Sequence, residues 1–270
     1  MLPESVPPIG LGTAGVDDPD LIARALDAGY RFVDTAQRYG NESAVGTGLA
    51  RSDVDREDVF LATKVHERNL AYDDVLSTTR TSLDRLGVDF VDLLYVHWPL
   101  ENYDPAETLP AFDELRDEGL IRHVGVSNFT PELLAEAQSH LDAPVAANQV
   151  EIHPLLPQRR LRTYARDHGV ALVAYGPLMV GDVFDVPEVR SVAEKHDVSP
   201  ARVALAWLLE KDVVPIPRGD SVDHVRDNLA ARSLSLDPAD VAALDGIDRR
   251  RRVYDNEAVW GDADGRASGE

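Results

Sequence analysis

GYRFVDTAQRYGNE, residues 29–42, opens as an apolar, β-prone run and closes as a polar loop. Residues 31–35 read as a buried strand, with Asp34 at its C-terminal end and Tyr39 five residues further on. An acid and a phenol at the mouth of one strand form a candidate proton-transfer pair. An amphipathic pattern over residues 43–51 follows, so the stretch is a single strand–loop–helix unit.

Working outward, the unit repeats along the whole chain. Strands are predicted at 9–13, 31–35, 59–65, 90–97, 121–127, 145–151, 170–175 and 213–216. Helices are predicted near 19–28, 43–51, 72–86, 105–118, 131–140, 157–168, 187–197 and 222–230, with an additional one at 200–211. Regular βα alternation implies parallel strands joined by right-handed crossovers. The strands are nearly continuous apolar runs, as expected when both faces are buried. Eight units in 270 residues predict a single-domain (β/α)8 TIM barrel over residues 1–270, with an irregular tail from about 249. A doubly wound sheet is the alternative, but no Gly-x-Gly-x-x-Gly opens a helix after a strand. Thr130-Pro131 and Ser199-Pro200 are helix-start signals, a capping hydroxyl followed by proline.

Composition narrows the function. The chain has no cysteine, which removes disulfides, thiolate nucleophiles and zinc–thiolate sites. No signal peptide or membrane-spanning run is evident, so a cytoplasmic protein is expected. The formal net charge of −21 argues against nucleic acid as a partner. Only Lys64, Lys195 and Lys211 are lysines, and aspartate outnumbers glutamate. Such a surface stays hydrated where salt screens its self-repulsion, so a halophilic protein is expected.

In a barrel the active site lies at the C-terminal ends of the strands. Those ends supply Asp34, Lys64, His97, Ser127 with Asn128, Asn148 with Gln149, Tyr175 and Arg218. Lys64 follows Val-Phe-Leu-Ala-Thr and precedes Val65, so its stem lies in an apolar strand, where a lysine needs a partner such as Asp34. Singly, each residue has a plain reading: Lys64 snorkelling to solvent, His97 a hydrogen-bonded core histidine, Asp34 a loop cap, Tyr39 a packed aromatic. Together they place four titratable groups at neighbouring strand mouths.

The set suits carbonyl reduction. Adding hydride to C=O leaves an alkoxide that needs a proton. Tyr39 can donate one, Lys64 would lower its pKa from the ordinary ~10, Asp34 would hold Lys64 charged, and neutral His97 would polarise the carbonyl oxygen. Two other enzyme readings compete. One uses Lys64 as a Schiff-base nucleophile; the other is a metal-dependent hydrolase, for which the His and Asp spacing gives no tight ligand set.

The stretches GYRFVDTAQRYGNE, FLATKV, DLLYVHWP, IRHVGVSNF, NQVEIHP and AYGPL closely resemble aldo-keto reductase motifs, in that family's order and from about Ile9 to about Arg252. The resemblance implies a barrel reducing an aldehyde or ketone, in some members a keto-sugar, with Tyr39, Lys64, Asp34 and His97 as catalytic tetrad and Tyr39 as general acid. It assigns Ser127, Asn128 and Gln149 to the nicotinamide carboxamide, Tyr175 to the ring face, Gly176 and Leu178 to the same cofactor, and Trp98 to the substrate pocket. Arg218 and Asn228 match the phosphate and adenine end. NADPH is the implied cofactor. NADH stays open, because Arg218, Gly219 and His224 stand where lysine, serine and arginine are usual and Asp220 adds a negative charge. Ala14 replaces a frequent aromatic, and the tail with Trp260 lies where the family carries a specificity loop. Arg249–Arg252 are read as solvating that tail. Length and the segment after AYGPL are most similar to the short microbial members, such as diketogluconate reductases. A small-molecule carbonyl partner and a monomer are expected. The family also has regulatory relatives, so a non-catalytic cofactor-sensing module is the non-enzyme alternative.

Overall fold

The computed structural model describes residues 6–260. Eight parallel strands pair strictly in chain order: β1 (Leu11–Gly12), β2 (Phe32–Asp34), β3 (Phe60–Val65), β4 (Val91–Val96), β5 (Ile121–Ser127), β6 (Val145–Glu151), β7 (Ala171–Tyr175) and β8 (Val213–Pro215). The sheet closes on itself. Gly10 N–H donates to Pro215 O at 2.9 Å and Gly12 N–H to Pro217 O at 3.1 Å. A Cβ on Gly12 would lie 2.6 Å from Ile216 O, so the last and first strands can approach this closely only at a glycine.

The helices are α1 (Pro19–Asp27), α2 (Glu42–Arg51), α3 (Tyr72–Leu86), α4 (Pro105–Asp117), α5 (Pro131–His140), α6 (Arg159–Asp167), α7 (Pro187–His196), α8 (Pro200–Leu209), α9 (Val222–Leu229), α10 (Pro238–Asp245) and α11 (Glu257–Trp260). Their apolar faces cover the outside of the strands, where Val33, Leu61, Val65 and Leu94 join one continuous core with Leu26, Leu83, Phe112 and Trp207. The predicted caps form as read: Thr130 accepts from Leu133 N–H and Ser199 from Arg202 N–H.

A second cluster fills the barrel itself: Phe32, Ala62, Leu93, Tyr95, Ala147, Val173 and Ile216. Side chains alternate faces along a strand. The residue two places further on is therefore Asp34 after Phe32, Lys64 after Ala62, His97 after Tyr95, Gln149 after Ala147, Tyr175 after Val173 and Arg218 after Ile216. The polar residues of the mouth are thus the next layer above a packed apolar plug.

Two expectations need correction. Helix α10 was not predicted, although Asp237-Pro238 with Asp240 forms a complete capping box at its start. The tail is also not wholly irregular. It ends in α11, with Trp260 buried beneath the Arg252 guanidinium, 4.2 Å from the ring centroid. Residues 261–270 of the predicted tail lie outside the described residues. Other boundaries move by a residue or two, as helix and strand ends commonly do. Among the described residues, no helix is long and apolar enough to cross a membrane.

Candidate active site

Asp34 closes β2, and the chain then makes a single helical turn, Gln37–Tyr39, that brings Tyr39 back over the barrel mouth. Lys64 rises from β3 with no exposed surface. Its ammonium has three acceptors for its three N–H groups: the Asp34 carboxylate in a short contact, Thr35 O at 2.9 Å and Tyr39 Oη at 3.4 Å. The other Asp34 oxygen accepts from Gln149 Nε2 at 2.7 Å. Burial alone would push Lys64 toward its neutral form, but Asp34 and Tyr39 outweigh it and raise its pKa, so it stays charged.

Tyr39 departs from the sequence expectation. Burial raises its pKa more than the Lys64 charge lowers it, and Asp34 adds to the rise. The phenol therefore holds its proton firmly at neutral pH. The His97 ring stands perpendicular to Tyr39, with centroids 5.8 Å apart. Burial, then the charges of Lys64 and Arg38, hold His97 well below the usual imidazole range, so it is neutral. Its Nδ1 is buried with no hydrogen-bond partner among the described residues.

A second network adjoins the first. Ser127 Oγ donates to Gln149 O at 2.8 Å. Asn128 holds a left-handed backbone, φ 67°, which asparagine tolerates. Its Nδ2 donates to His97 O at 3.1 Å and Ser127 Oγ at 3.0 Å, and its Oδ1 accepts from Tyr175 Oη at 2.8 Å. Gln149 belongs to both networks. Asn148, also singled out in sequence, serves the backbone instead: Nδ2 donates to Phe129 O at 2.8 Å. Trp98 follows His97 and is half-buried, Leu178 is half-buried after β7, and Gly176 lies against the Tyr254 ring. At the far side Arg218 pairs with Asp220, and Asn228 Nδ2 donates to Arg218 O at 3.3 Å.

Sequence reasoning assigned no role to Glu151, His153 or Tyr254. Glu151 is fully buried at the C-terminal end of β6 and accepts from His153 Nε2 at 2.8 Å, Val253 N–H at 2.7 Å and Tyr254 N–H at 2.9 Å. This pins the tail across the barrel, with Tyr254 edge-on to Tyr175 at 5.4 Å. The signal was present in the quoted motif NQVEIHP, where a buried Glu and His needed partners. The arginine run is also not merely solvating: Arg249 pairs with Glu188 at 2.6 Å and Arg251 with Asp182 at 2.5 Å, tying the tail to the segment after β7.

The donor set fits a nicotinamide dinucleotide. A hydroxyl and two carboxamides stand beside an aromatic ring, matching a planar ring that carries a carboxamide.

The sequence profile of the Aldo/keto reductase family matches residues 8–249. An aldo-keto reductase of Mycolicibacterium smegmatis is 38% identical over 253 residues, 92% of each chain. A methylglyoxal reductase, DkgB, of Yersinia pestis is 35% identical over 261 residues, 94% of this chain and 98% of that one. Among solved structures, a protein provisionally assigned as 2,5-diketo-D-gluconic acid reductase B superposes with a TM-score of 0.90 at 35% identity, covering 94% of this chain and 92% of the other. A Bombyx mori aldo-keto reductase in complex with NADP superposes with a TM-score of 0.87 at 29% identity, covering 95% and 94%.

Proposed function

This chain belongs to the aldo/keto reductase family, and from that premise we propose that Tyr39 is the proton donor in its reduction of a carbonyl substrate. The enzyme is an oxidoreductase that uses a nicotinamide cofactor, NADPH or NADH. That cofactor supplies a hydride when bound. Ser127, Asn128 and Gln149 would hold its carboxamide, Tyr175, Gly176 and Leu178 its ring and neighbouring atoms, and Arg218 and Asn228 its adenine end.

The observation that carries the proposal is the 3.4 Å contact of Lys64 Nζ with Tyr39 Oη, made by an ammonium that Asp34 keeps charged. As the carbonyl oxygen gains charge, neutral His97 can donate a hydrogen bond to it. Tyr39 gives its proton to that oxygen, and the tyrosinate left behind faces the Lys64 ammonium. The products are the alcohol and the oxidised cofactor. The same bonding disfavours Lys64 as a Schiff-base nucleophile, because a buried, charged amine with three acceptors has no free lone pair. Trp98 supplies apolar wall to the substrate pocket. The names of the Yersinia pestis relative and of the diketogluconic acid reductase support a small dicarbonyl or a keto-sugar as the substrate class.

The test is Tyr39→Phe, assayed by nicotinamide absorbance on aldehydes, dicarbonyls and keto-sugars, with cofactor binding measured separately. A loss of roughly 10²–10⁴ in kcat with binding retained is expected. Turnover within about threefold of the parent would remove Tyr39 from the role.

A further inference from the structure

We propose that Asp220 sets cofactor selectivity by occupying the guanidinium of Arg218, so that the 2′-phosphate of NADPH gains little over the bare ribose of NADH. The inference rests on reading the β8 side of the mouth as the dinucleotide site. In barrels of this class, phosphate is held between the loops after the last two strands and the start of a short helix. Here that place is the loop from β8 to α9.

Three features of the loop work against a dianion. Arg218 is engaged at two points, Nε to Asp220 Oδ1 at 2.8 Å and Nη2 to Oδ2 at 3.3 Å. Its remaining Nη1 reaches toward Ala14 O at 3.5 Å. Gly219 has no room for a hydroxyl-bearing side chain, since a Cβ there would lie 2.7 Å from Val225 Cγ2 and 3.2 Å from Val225 N. Asp223 adds a second carboxylate in the first turn, so residues 218–223 hold two carboxylates and one guanidinium.

A phosphate monoester carries about −1.5 to −2 charge at neutral pH. It would have to displace Asp220 from Arg218 and then sit beside the freed carboxylate. A ribose 2′-hydroxyl faces no such repulsion, and it can donate a hydrogen bond to a carboxylate. Asn228 fixes the loop by bonding Arg218 O, so the pair is presented in a defined position. Both side chains are half or more exposed, 51% for Arg218 and 63% for Asp220, so removing the carboxylate should not threaten the fold.

The experiment is calorimetric titration of the whole protein with 5′-AMP and with 2′,5′-ADP, which differ only by the 2′-phosphate, for the parent, Asp220→Asn and Asp220→Ala, with circular dichroism confirming the fold. These fragments lack nicotinamide, so they read the loop independently of the tetrad. The parent should bind the two within about threefold of each other, and both variants should shift the ratio of dissociation constants toward 2′,5′-ADP by about tenfold. A parent already preferring 2′,5′-ADP by more than about tenfold, or a ratio unmoved in both variants, overturns the proposal alone. If neither fragment, nor NADH, nor NADPH binds the folded parent, the proposal falls together with the site reading beneath it.

Discussion

Gln149 Nε2 donates a 2.7 Å hydrogen bond to Asp34 Oδ2, the carboxylate oxygen that Lys64 does not use. The bond spans 115 residues of sequence and joins the Asp34–Lys64–Tyr39 half of the mouth to the half that bears Asn128 and Gln149. Both residues are buried, so neither can be satisfied by water. Replacing Gln149 by Leu leaves Asp34 short of one donor. A stability loss of about 1–3 kcal/mol is expected from urea denaturation. Weakened cofactor binding should accompany it, with a non-additive double mutant when combined with Asp34→Asn. Additive effects would show that the bond does not couple the two halves.

Lys64 and Asp34 form a fully buried ion pair. Truncating one member strands the other, so Lys64→Met should cost about 3–5 kcal/mol in denaturation, with activity lost. Removing both charges with Lys64→Met and Asp34→Leu should recover a large part of that stability but none of the activity. Lys64→Arg is not a mild change here, because a planar fork cannot reproduce three convergent bonds around one nitrogen. If the double variant were less stable than Lys64→Met, the pair would not be the source of the loss.

Glu151 anchors the tail through two backbone N–H groups, and its pKa is lowered. Burial opposes the ionised form, but the bonds from His153, Val253 and Tyr254 outweigh it. A carboxylate depressed in the folded state contributes stability above its unfolded pKa and loses it as pH falls through the folded value. Acidification below the ordinary carboxylate range, near ~4.3, should therefore release the tail. The readout is the hydrogen-exchange protection of the Val253 and Tyr254 amides relative to their intrinsic rates at each pH, which should fall on acidification in the parent. In Glu151→Gln it should be low already at neutral pH, with a stability loss of about 1–3 kcal/mol. Equal protection in parent and variant would mean that other contacts hold the tail.

The net charge of −21 is carried largely on exposed side chains. At ~1 M salt the screening length falls to about 3 Å, which removes most of the repulsion among them. Thermal melts in molar potassium chloride should lie several degrees above those in dilute buffer. Identical melts would remove the argument for a protein adapted to concentrated salt.

The barrel was legible in the sequence because eight apolar runs alternate with amphipathic helices, a pattern set by local burial and repeated without interruption. Helix α10 belongs to no βα unit, so the alternation that reveals the other helices carries no signal for it, although its capping box is readable. Asp34, Lys64, His97 and Gln149 could be named from polar residue types at the ends of apolar strands, and in part by resemblance to a family. Their chemistry could not be read in full. Both faces of each strand are apolar, so only closure of the sheet decides that Phe32, Ala62 and Tyr95 point inward and that the next inward rung is Asp34, Lys64 and His97. Burial then raises the Tyr39 pKa where adjacent charge alone had suggested a fall, because desolvation depends on every atom packed around the phenol. The grip of Glu151 on Val253 and Tyr254 likewise arises only where the end of β6 meets the tail above the barrel. Sequence patterning determined the elements and the residue types at the mouth. Tertiary packing decided which groups are dry, which are paired and which bonds remain for a ligand.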